Sequence, residues 1–294
     1  MTGLRNRFQQ VLDRFLFESC DPIIASVLRI GYASLLIINV CVWMLDGNRW
    51  FSDVGVLKAG TVQHLSKIPY WSAFSLSSST EFVQIGLSIL LFQSVLLLVG
   101  CWSRFQAACI FFWLVSFQHR NPLICDGEDT AFRLLAFFFI FLPLDHACSV
   151  TNLFRSPISS KPDKSQAWGL RLIQVEISAI YLSAGLSKLQ GTTWRDGSAI
   201  FYVFSMDDYM GRLWLTDWVL DIPWIIRFAT WAALSIEIAL PFALWWKHSR
   251  LTAILVGIGL HFAIELSMNL FLFEWLMILG LLSFLKPADW KKVP

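Results

Sequence analysis

The segment 168–189 carries a polar stripe along an otherwise apolar sequence. Its members recur at intervals of three and four residues: Arg171, Gln174, Ser178, Tyr181, Gly185 and Lys188. In an α-helix this spacing places their side chains on one face. Because ionisable groups in an apolar helix are costly and by default face the interior of a bundle, the stripe indicates a helix that lines a cavity or packs against other polar surfaces.

Lys188 is the member of the stripe with the widest chemical range. It lies near the end of the apolar segment, just before the chain becomes polar. Its amine suits three roles: an anchor at the membrane interface, a partner in an ion pair, or a base held away from water. Desolvation favours the neutral form of an amine, and lysine can give up its proton where arginine cannot. The residues alone leave the three roles open.

A second set of ionisable residues precedes an apolar segment, in the sequence HRNPLICDGEDTAFRLLAF. Asp126, Glu128 and Asp129 precede the apolar run, where a helix N-terminus favours acidic side chains. Capping is the preferred interpretation for Asp126 and Asp129. Arg133 lies one turn into the run, too deep for a cap, so we expect it to pair with Asp129 or Glu128.

Further ionisable residues lie within the apolar segments. His261 and Glu265 are one turn apart, which suits half of a metal site or a hydrogen-bonded pair within the bundle. We favour the pair and predict no metal, because no clear third ligand is present. Glu237 and Glu176 each need a partner or a proton, and the sequence names neither.

The composition is that of a membrane protein. Hydrophobic residues make up 56% of the 294 residues and charged residues 15%, against about 25% charged in a soluble domain. A spanning helix needs about 20 mostly apolar residues, and about eight segments approach that length. They are 24–45, 81–100, 104–118, 131–148, 168–189, 223–246, 251–267 and 271–286. We predict an all-α integral membrane helical bundle with about eight transmembrane spans.

The rest of the chain fits one domain over 1–294. Residues 1–20 predict an amphipathic helix at the membrane interface, and 21–294 the bundle. The six cysteines form no CxxC motif and predict neither disulfides nor zinc binding. The lipid bilayer is an expected partner, whereas no basic patch indicates nucleic acid.

The distribution of basic residues predicts the orientation. If all eight segments span the membrane, the short loops on the same side of the membrane as the N-terminus are rich in Lys and Arg, as cytoplasmic loops are. Both termini are then cytoplasmic, and the long loops 46–80 and 190–222 lie outside. The second loop contains Trp194 and Asp196, then an aromatic stretch expected to lie flat or re-enter the membrane. We expect Asp207 and Asp208 there to cap a helix rather than bind a cation.

Three stretches resemble the HTTM family of membrane proteins, which is similar to the transmembrane part of vitamin K-dependent gamma-carboxylase. They are RNPLICDGEDTAFRLLAFFFIFLPL, IYLSAGLSKLQGTTWRDGSAIFY and GLHFAIELSMNLFLFEWLMILGLLSFLKP. The resemblance implies a lysine, here Lys188, that deprotonates reduced vitamin K. Oxygen then generates a stronger base, which removes a proton from a substrate glutamate before CO2 is captured. This chain differs from the carboxylase at Ser187, Glu128 and Asp129, and the large lumenal domain is not expected.

Together these features predict a carboxylase-like membrane enzyme that uses a reduced isoprenoid quinone and a substrate that the sequence does not name. Lys188 is the expected base at the outer mouth of the bundle, positioned or tuned by Glu128, Asp129 and Arg133. The remaining predicted quinone contacts are Tyr181, Trp194, Asp196, His261 and Glu265. The alternative is a non-catalytic bundle, either a transporter or a partner for another membrane protein.

Overall fold

The computed structural model describes most of the chain, namely residues 7, 9–10, 13, 15–16, 21–65, 71–153, 168–206 and 220–286. Within these residues the protein is helical and has no β-strand. Most of the predicted interfacial helix 1–20 lies outside the described residues, and its described positions are helical. Asp207 and Asp208 also lie outside them.

The chain divides into two compact units, Met1–Arg171 and Leu172–Pro294. The first contains a short 3-10 helix at Ala73–Ser75 and the helices α1 (Pro22–Phe51), α2 (Ala59–Leu65), α3 (Thr80–Val99), α4 (Ser103–Arg120), α5 (Gly127–Phe139) and α6 (Val150–Leu153). Helix α7 (Trp168–Gln190) begins in the first unit and continues in the second. The second unit also contains α8 (Thr192–Asp196), α9 (Ala199–Phe204), α10 (Pro223–Ala243), α11 (Arg250–Ser267) and α12 (Phe273–Leu282).

Local signals fix the ends of these helices. The Asp21 side chain accepts a hydrogen bond from the Ile23 amide at 2.8 Å, and Pro22 occupies the first turn of α1, where its missing N–H costs nothing. Gly100 ends α3 in the left-handed conformation at φ 75°, which glycine adopts without strain. The predicted break between the second and third apolar segments is therefore confirmed.

Helix α5 differs most from its predicted segment, 131–148. It begins earlier, at Gly127, because Asp126 caps it, and it ends at Phe139. Pro143 follows shortly, and a residue before proline is disfavoured in the helical conformation. The later part of the segment is therefore not continuous helix.

Four of the described helices are long and apolar enough to cross a membrane: α1, α3, α10 and α11. Helix α12 is apolar but shorter. Large apolar side chains face outward from these helices, such as Phe92, Phe228 and Leu255, each more than 60% exposed. Such surfaces suit contact with lipid, so the chain is an integral membrane protein that meets the bilayer.

Candidate functional site

The polar stripe of α7 packs against polar groups of α10–α12 and the segments that follow α10 and α12. Gln174 donates to the Ser283 carbonyl oxygen at 2.7 Å, and the Trp245 indole donates to the Ser178 hydroxyl at 3.0 Å. Both contacts lie within the second compact unit. The stripe thus makes cross-helix hydrogen bonds, which is one of the two arrangements that its spacing left open.

Lys188 forms an ion pair with Glu237, from the middle of α10. Its Nζ lies 2.5 Å and 2.6 Å from the two carboxylate oxygens. The side chains are 27% and 10% exposed, respectively. The Nζ also lies 5.1 Å from the centre of the Trp194 ring, a cation–π distance. Of the three roles open to Lys188, ion pairing is therefore present, and Glu237 has the partner that the sequence did not name.

The pair requires α7 and α10 to approach closely, and Gly185 permits this. It lies about one turn before Lys188, facing Ile238, the neighbour of Glu237. A Cβ atom at position 185 would lie 2.8 Å from Ile238 Cγ1 and 3.4 Å from its backbone nitrogen. Glycine is therefore the residue that lets the two charged side chains meet.

Replacing Gly185 with valine is expected to lower stability by about 1–3 kcal/mol, because the new side chain overpacks against Ile238. Thermal unfolding in detergent measures the effect. Gly259→Val is the matched control, because a Cβ at position 259 meets no atom within 4 Å among the described residues. Equal losses in the two variants would contradict close packing at Gly185.

A second polar cluster is a row of three buried residues from three helices. The Tyr181 hydroxyl bonds to Nε2 of His261, and Nδ1 of His261 bonds to the Glu274 carboxylate. Their exposures are 2%, 4% and 1%. The row joins α7, α11 and the first turn of α12.

The predicted pairing of His261 with Glu265 was wrong. Both ring nitrogens of His261 are occupied, by Tyr181 and Glu274. The chain turns between α11 and α12, which brings Glu274 to the ring although it lies 13 residues away. Glu265 is buried as well, at 6% exposure. A spacing of four residues on one helix gave a signal for Glu265, whereas nothing in the sequence pointed to Glu274.

Trp194 and Asp196 differ in their relation to Lys188. The Trp194 ring lies beside the ammonium group, as described above. Asp196 accepts hydrogen bonds from the amide and hydroxyl of Ser198, at 2.9 Å and 2.6 Å, and these bonds lower the pKa of Asp196. Asp196 thus closes the turn between α8 and α9, and its contact with a quinone stays a prediction.

Asp126 and Asp129, in the first unit, form a helix cap, as predicted. The Asp126 side chain accepts hydrogen bonds from the amides of Glu128 and Asp129, at 2.8 Å and 3.3 Å. The Asp129 carboxylate accepts one in return from the Asp126 amide at 3.1 Å. This reciprocal arrangement is a capping box. Lys188 belongs to the second unit, so the expected action of Glu128, Asp129 and Arg133 on Lys188 stays a prediction.

Asp129 precedes the predicted span 131–148 and has an altered proton affinity. Burial raises the pKa of Asp129 from 3.8 to about 6, although the Asp126 amide and the Arg133 guanidinium oppose the increase. Arg133 thus acts electrostatically on Asp129, in line with the predicted association of the two residues.

The raised pKa of Asp129 predicts a pH-dependent stability. The folded state favours the protonated acid, so this contribution is complete below the ordinary value of 3.8 and is lost as pH rises through about 6. The melting temperature is therefore expected to fall between about pH 4 and pH 6 partly because Asp129 ionises, and Asp129→Asn is expected to remove that contribution to the fall. Asp46→Asn, which changes an exposed carboxylate, is the control. An unchanged pH profile in Asp129→Asn would contradict the assignment.

Comparison with known proteins identifies the family of this chain. The family model of the HTTM domain matches residues 17–290, nearly the whole chain. The chain belongs to the HTTM domain family. The resemblance of the three sequence stretches to this family is therefore confirmed.

Two relatives of this HTTM protein come from Bacillus subtilis (strain 168). The sporulation-delaying protein SdpB is 25% identical over 216 residues, which cover 68% of this chain and 64% of SdpB. The uncharacterized protein YitO is 24% identical over 211 residues, which cover 67% of this chain and 65% of YitO. The matches thus span slightly less than two thirds of either relative. No solved structure matches the chain.

Proposed function

We propose that this HTTM protein is a gamma-carboxylase-like membrane enzyme that uses a reduced isoprenoid quinone, with Lys188 as its base. The observation that carries the proposal is the pairing of Lys188 with Glu237 at 2.5 Å and 2.6 Å beside Trp194. Family membership supports it, because the family resemblance assigns the base to this lysine. When bound, the reduced quinone supplies an acidic hydroxyl and, with oxygen, a stronger base.

The Lys188–Glu237 pair can produce a neutral amine without a change in net charge. Transfer of one proton from Nζ to the carboxylate gives an amine and a carboxylic acid. The amine at Nζ can then accept a proton, while the neighbouring Trp194 ring limits access of water and offers a face to an aromatic headgroup.

An apolar groove in the same unit suits an isoprenoid chain. It has a volume of about 340 Å³ and lies between α10 and α11. Its lining residues are mostly small or aliphatic: Ser235, Ile236, Ala239, Leu240, Ala243, Ser249, Thr252, Ala253 and Val256. The volume lies at the lower end of the range of about 300–1,000 Å³ for small-molecule sites. Ser235 and Ile236 directly precede Glu237 in α10, so a tail in this groove starts near the proposed base.

The other quinone contacts remain part of the proposal. Trp194 and Asp196 would form the wall near the headgroup, and Tyr181, His261 and Glu265 would lie further from it. The base would be positioned or tuned by Glu128, Asp129 and Arg133.

Quinone binding and turnover test the proposal. The protein, purified in lipid nanodiscs, is extracted and its lipids are analysed by mass spectrometry for isoprenoid quinones. Consumption of an added reduced naphthoquinone is then followed with oxygen and labelled bicarbonate. Lys188→Arg is expected to keep the ion pair and the fold but to reduce quinol consumption by roughly 10²–10⁴-fold, the usual contribution of a general base.

The groove gives an independent arm of the same experiment. Ala239→Trp is expected to fill the groove and to reduce the amount of co-purified quinone. Gly259→Trp is its control, because an added Cβ at position 259 meets no described atom of a neighbouring element within 4 Å. Quinone at the level of an unrelated membrane protein, or full quinol consumption by Lys188→Arg, would overturn the proposal.

A non-catalytic bundle is the second candidate, favoured by the satisfied ion pair itself. Two oppositely charged side chains in direct contact are also what a purely structural link between α7 and α10 requires. In that case Lys188→Arg retains every measurable property, including the binding partners of the protein.

We also propose that about eight helical segments span the membrane and that both termini are cytoplasmic. The charge distribution of the short loops supports this topology. Single cysteines introduced at Lys247 and at Pro122, in a chain freed of its native cysteines, test it with an impermeant thiol reagent on intact cells. Position 122 is expected to react from outside and position 247 only after lysis.

A further inference from the structure

We propose that Arg195 and Arg227 form a binding site for the phosphate group of a membrane phospholipid, at the end of α10 that begins with Pro223. The two exposed arginines lie on either side of one contact between α8 and α10, among exposed aromatic side chains. The inference goes beyond the proposed enzyme. It uses only the proposed topology, which assigns this end of α10 to the outer leaflet.

The end of α8 lies directly against the first half of α10. The Trp231 indole donates a hydrogen bond to the Arg195 carbonyl oxygen at 3.4 Å. Two residues further on, Gly197 ends α8 at φ 85°, and a Cβ atom there would lie 3.0 Å from Cγ of Arg227. Glycine therefore lets the chain lie on the Arg227 side chain. Arg195 and Arg227 thus belong to the same small area of the surface.

The positive charges of this area are accessible to a ligand. Arg195 and Arg227 are exposed, and neither forms an ion pair within 4 Å with another described residue. Arg227 acts electrostatically on Asp196, but the Asp196 carboxylate is held by the amide and hydroxyl of Ser198. Both guanidinium groups therefore retain donors for an added anion.

Exposed aromatic side chains mark the depth of this area in the bilayer. Trp224 and Phe228, each 70% exposed, lie three residues before and one residue after Arg227, on the same side of α10. Tyr202 of α9 is 56% exposed. Trp and Tyr are enriched where the hydrocarbon meets the headgroups, and arginine side chains near helix ends extend towards the headgroups. The two guanidinium groups are therefore expected at the level of the lipid phosphates.

A phospholipid fits both the polar and the apolar parts of this surface. Guanidinium groups bind phosphate oxygens through paired, charge-assisted hydrogen bonds. Asp196 and Asp221 equal the two arginines in number, so direct contact rather than long-range attraction must supply the affinity. Acyl chains attached to the phosphate can cover Trp224 and Phe228, which a soluble phosphate ester would leave in contact with water.

Native mass spectrometry of the detergent-solubilised protein, titrated with phosphatidylglycerol, tests the site. The double variant Arg195→Gln/Arg227→Gln is expected to weaken the tightest phosphatidylglycerol binding by roughly tenfold or more. The control is Arg49→Gln/Lys58→Gln, which removes two exposed positive charges of the first unit. It is expected to change this binding by about twofold or less, because isolated surface charges contribute little.

Melting temperatures establish that the variants are folded. All four substituted side chains are exposed, so both double variants are expected to melt as the wild type does. If Arg195→Gln/Arg227→Gln fails to fold, Arg195→Lys/Arg227→Lys replaces it. Lysine keeps the charge but lacks the paired donors, so binding is then expected to weaken by about threefold or more.

Competition separates a lipid from a soluble phosphate. Inorganic phosphate and glycerol 3-phosphate, each added in large excess, are expected to leave phosphatidylglycerol bound. Displacement by either would overturn the phospholipid as the ligand. Equal losses of binding in the glutamine variant and its control would overturn the site at Arg195 and Arg227. Quinol consumption does not enter this experiment, so its outcome is independent of the proposed function.

Discussion

Lys188→Met is expected to lower the free energy of unfolding by about 2–4 kcal/mol, because it leaves the Glu237 carboxylate buried without its cation. Removal of one partner from a fully buried ion pair costs about 3–5 kcal/mol. We place this pair somewhat lower, since the Lys188 side chain is 27% exposed. Thermal or denaturant-induced unfolding in detergent, followed by circular dichroism, gives the value.

Removal of either partner of the ion pair is expected to cost a different amount of stability. Glu237→Leu should cost less than Lys188→Met, because the lysine left behind is the more exposed partner and its long chain can move towards the headgroups. The double variant, which combines Lys188→Met with Glu237→Leu, should recover most of the stability, since an apolar pair replaces the charged one. Additive losses in the double variant would show that the two side chains do not depend on each other.

His261→Leu is expected to lower the free energy of unfolding by about 3–5 kcal/mol. This loss is at least as large as the loss expected for Lys188→Met. It leaves the Glu274 carboxylate, at 1% exposure, without the imidazole that now binds it. The Tyr181 hydroxyl, buried to a similar degree, also loses its partner. Unfolding in detergent measures the loss.

Smaller changes in the same row provide the control. Tyr181→Phe removes one hydroxyl and keeps the ring, but it leaves the buried Nε2 of His261 without its partner, so it should cost about 1–3 kcal/mol. Glu274→Gln keeps an acceptor for the imidazole while it removes the charge, and it should be milder than His261→Leu. Equal effects of His261→Leu and Tyr181→Phe would mean that the Glu274 carboxylate does not depend on His261.

Local signals were readable from the sequence. Apolar length located the longer helices, although α1 continues past its predicted segment and α5 ends well before its own. The short helices α2, α6, α8 and α9 lie outside the predicted apolar segments. Asp126 and Asp129 were assigned as caps, because capping depends on residues three positions apart. The break after Gly100 was predicted because the apolar segments 81–100 and 104–118 are separate. Each of these features depends on neighbours in the chain, so its signal is local.

The partners of the buried polar groups were not readable in the same way. The sequence showed that Glu237 needed a partner or a proton, and it left an ion pair as one of three roles for Lys188. It joined His261 to Glu265 because they are one turn apart. The actual partner, Glu274, lies on another helix. Lys188 and Glu237 lie 49 residues apart and meet only because two helices approach at Gly185.

By itself the sequence determined that this chain is a helical membrane protein and that one face of the helix 168–189 is polar. Hydrophobic length and helical periodicity carry that information, and both are properties of a single segment. Only the tertiary structure decided which polar groups meet across helices. A contact between helices depends on their rotation and closest approach, which the packing of many side chains fixes together.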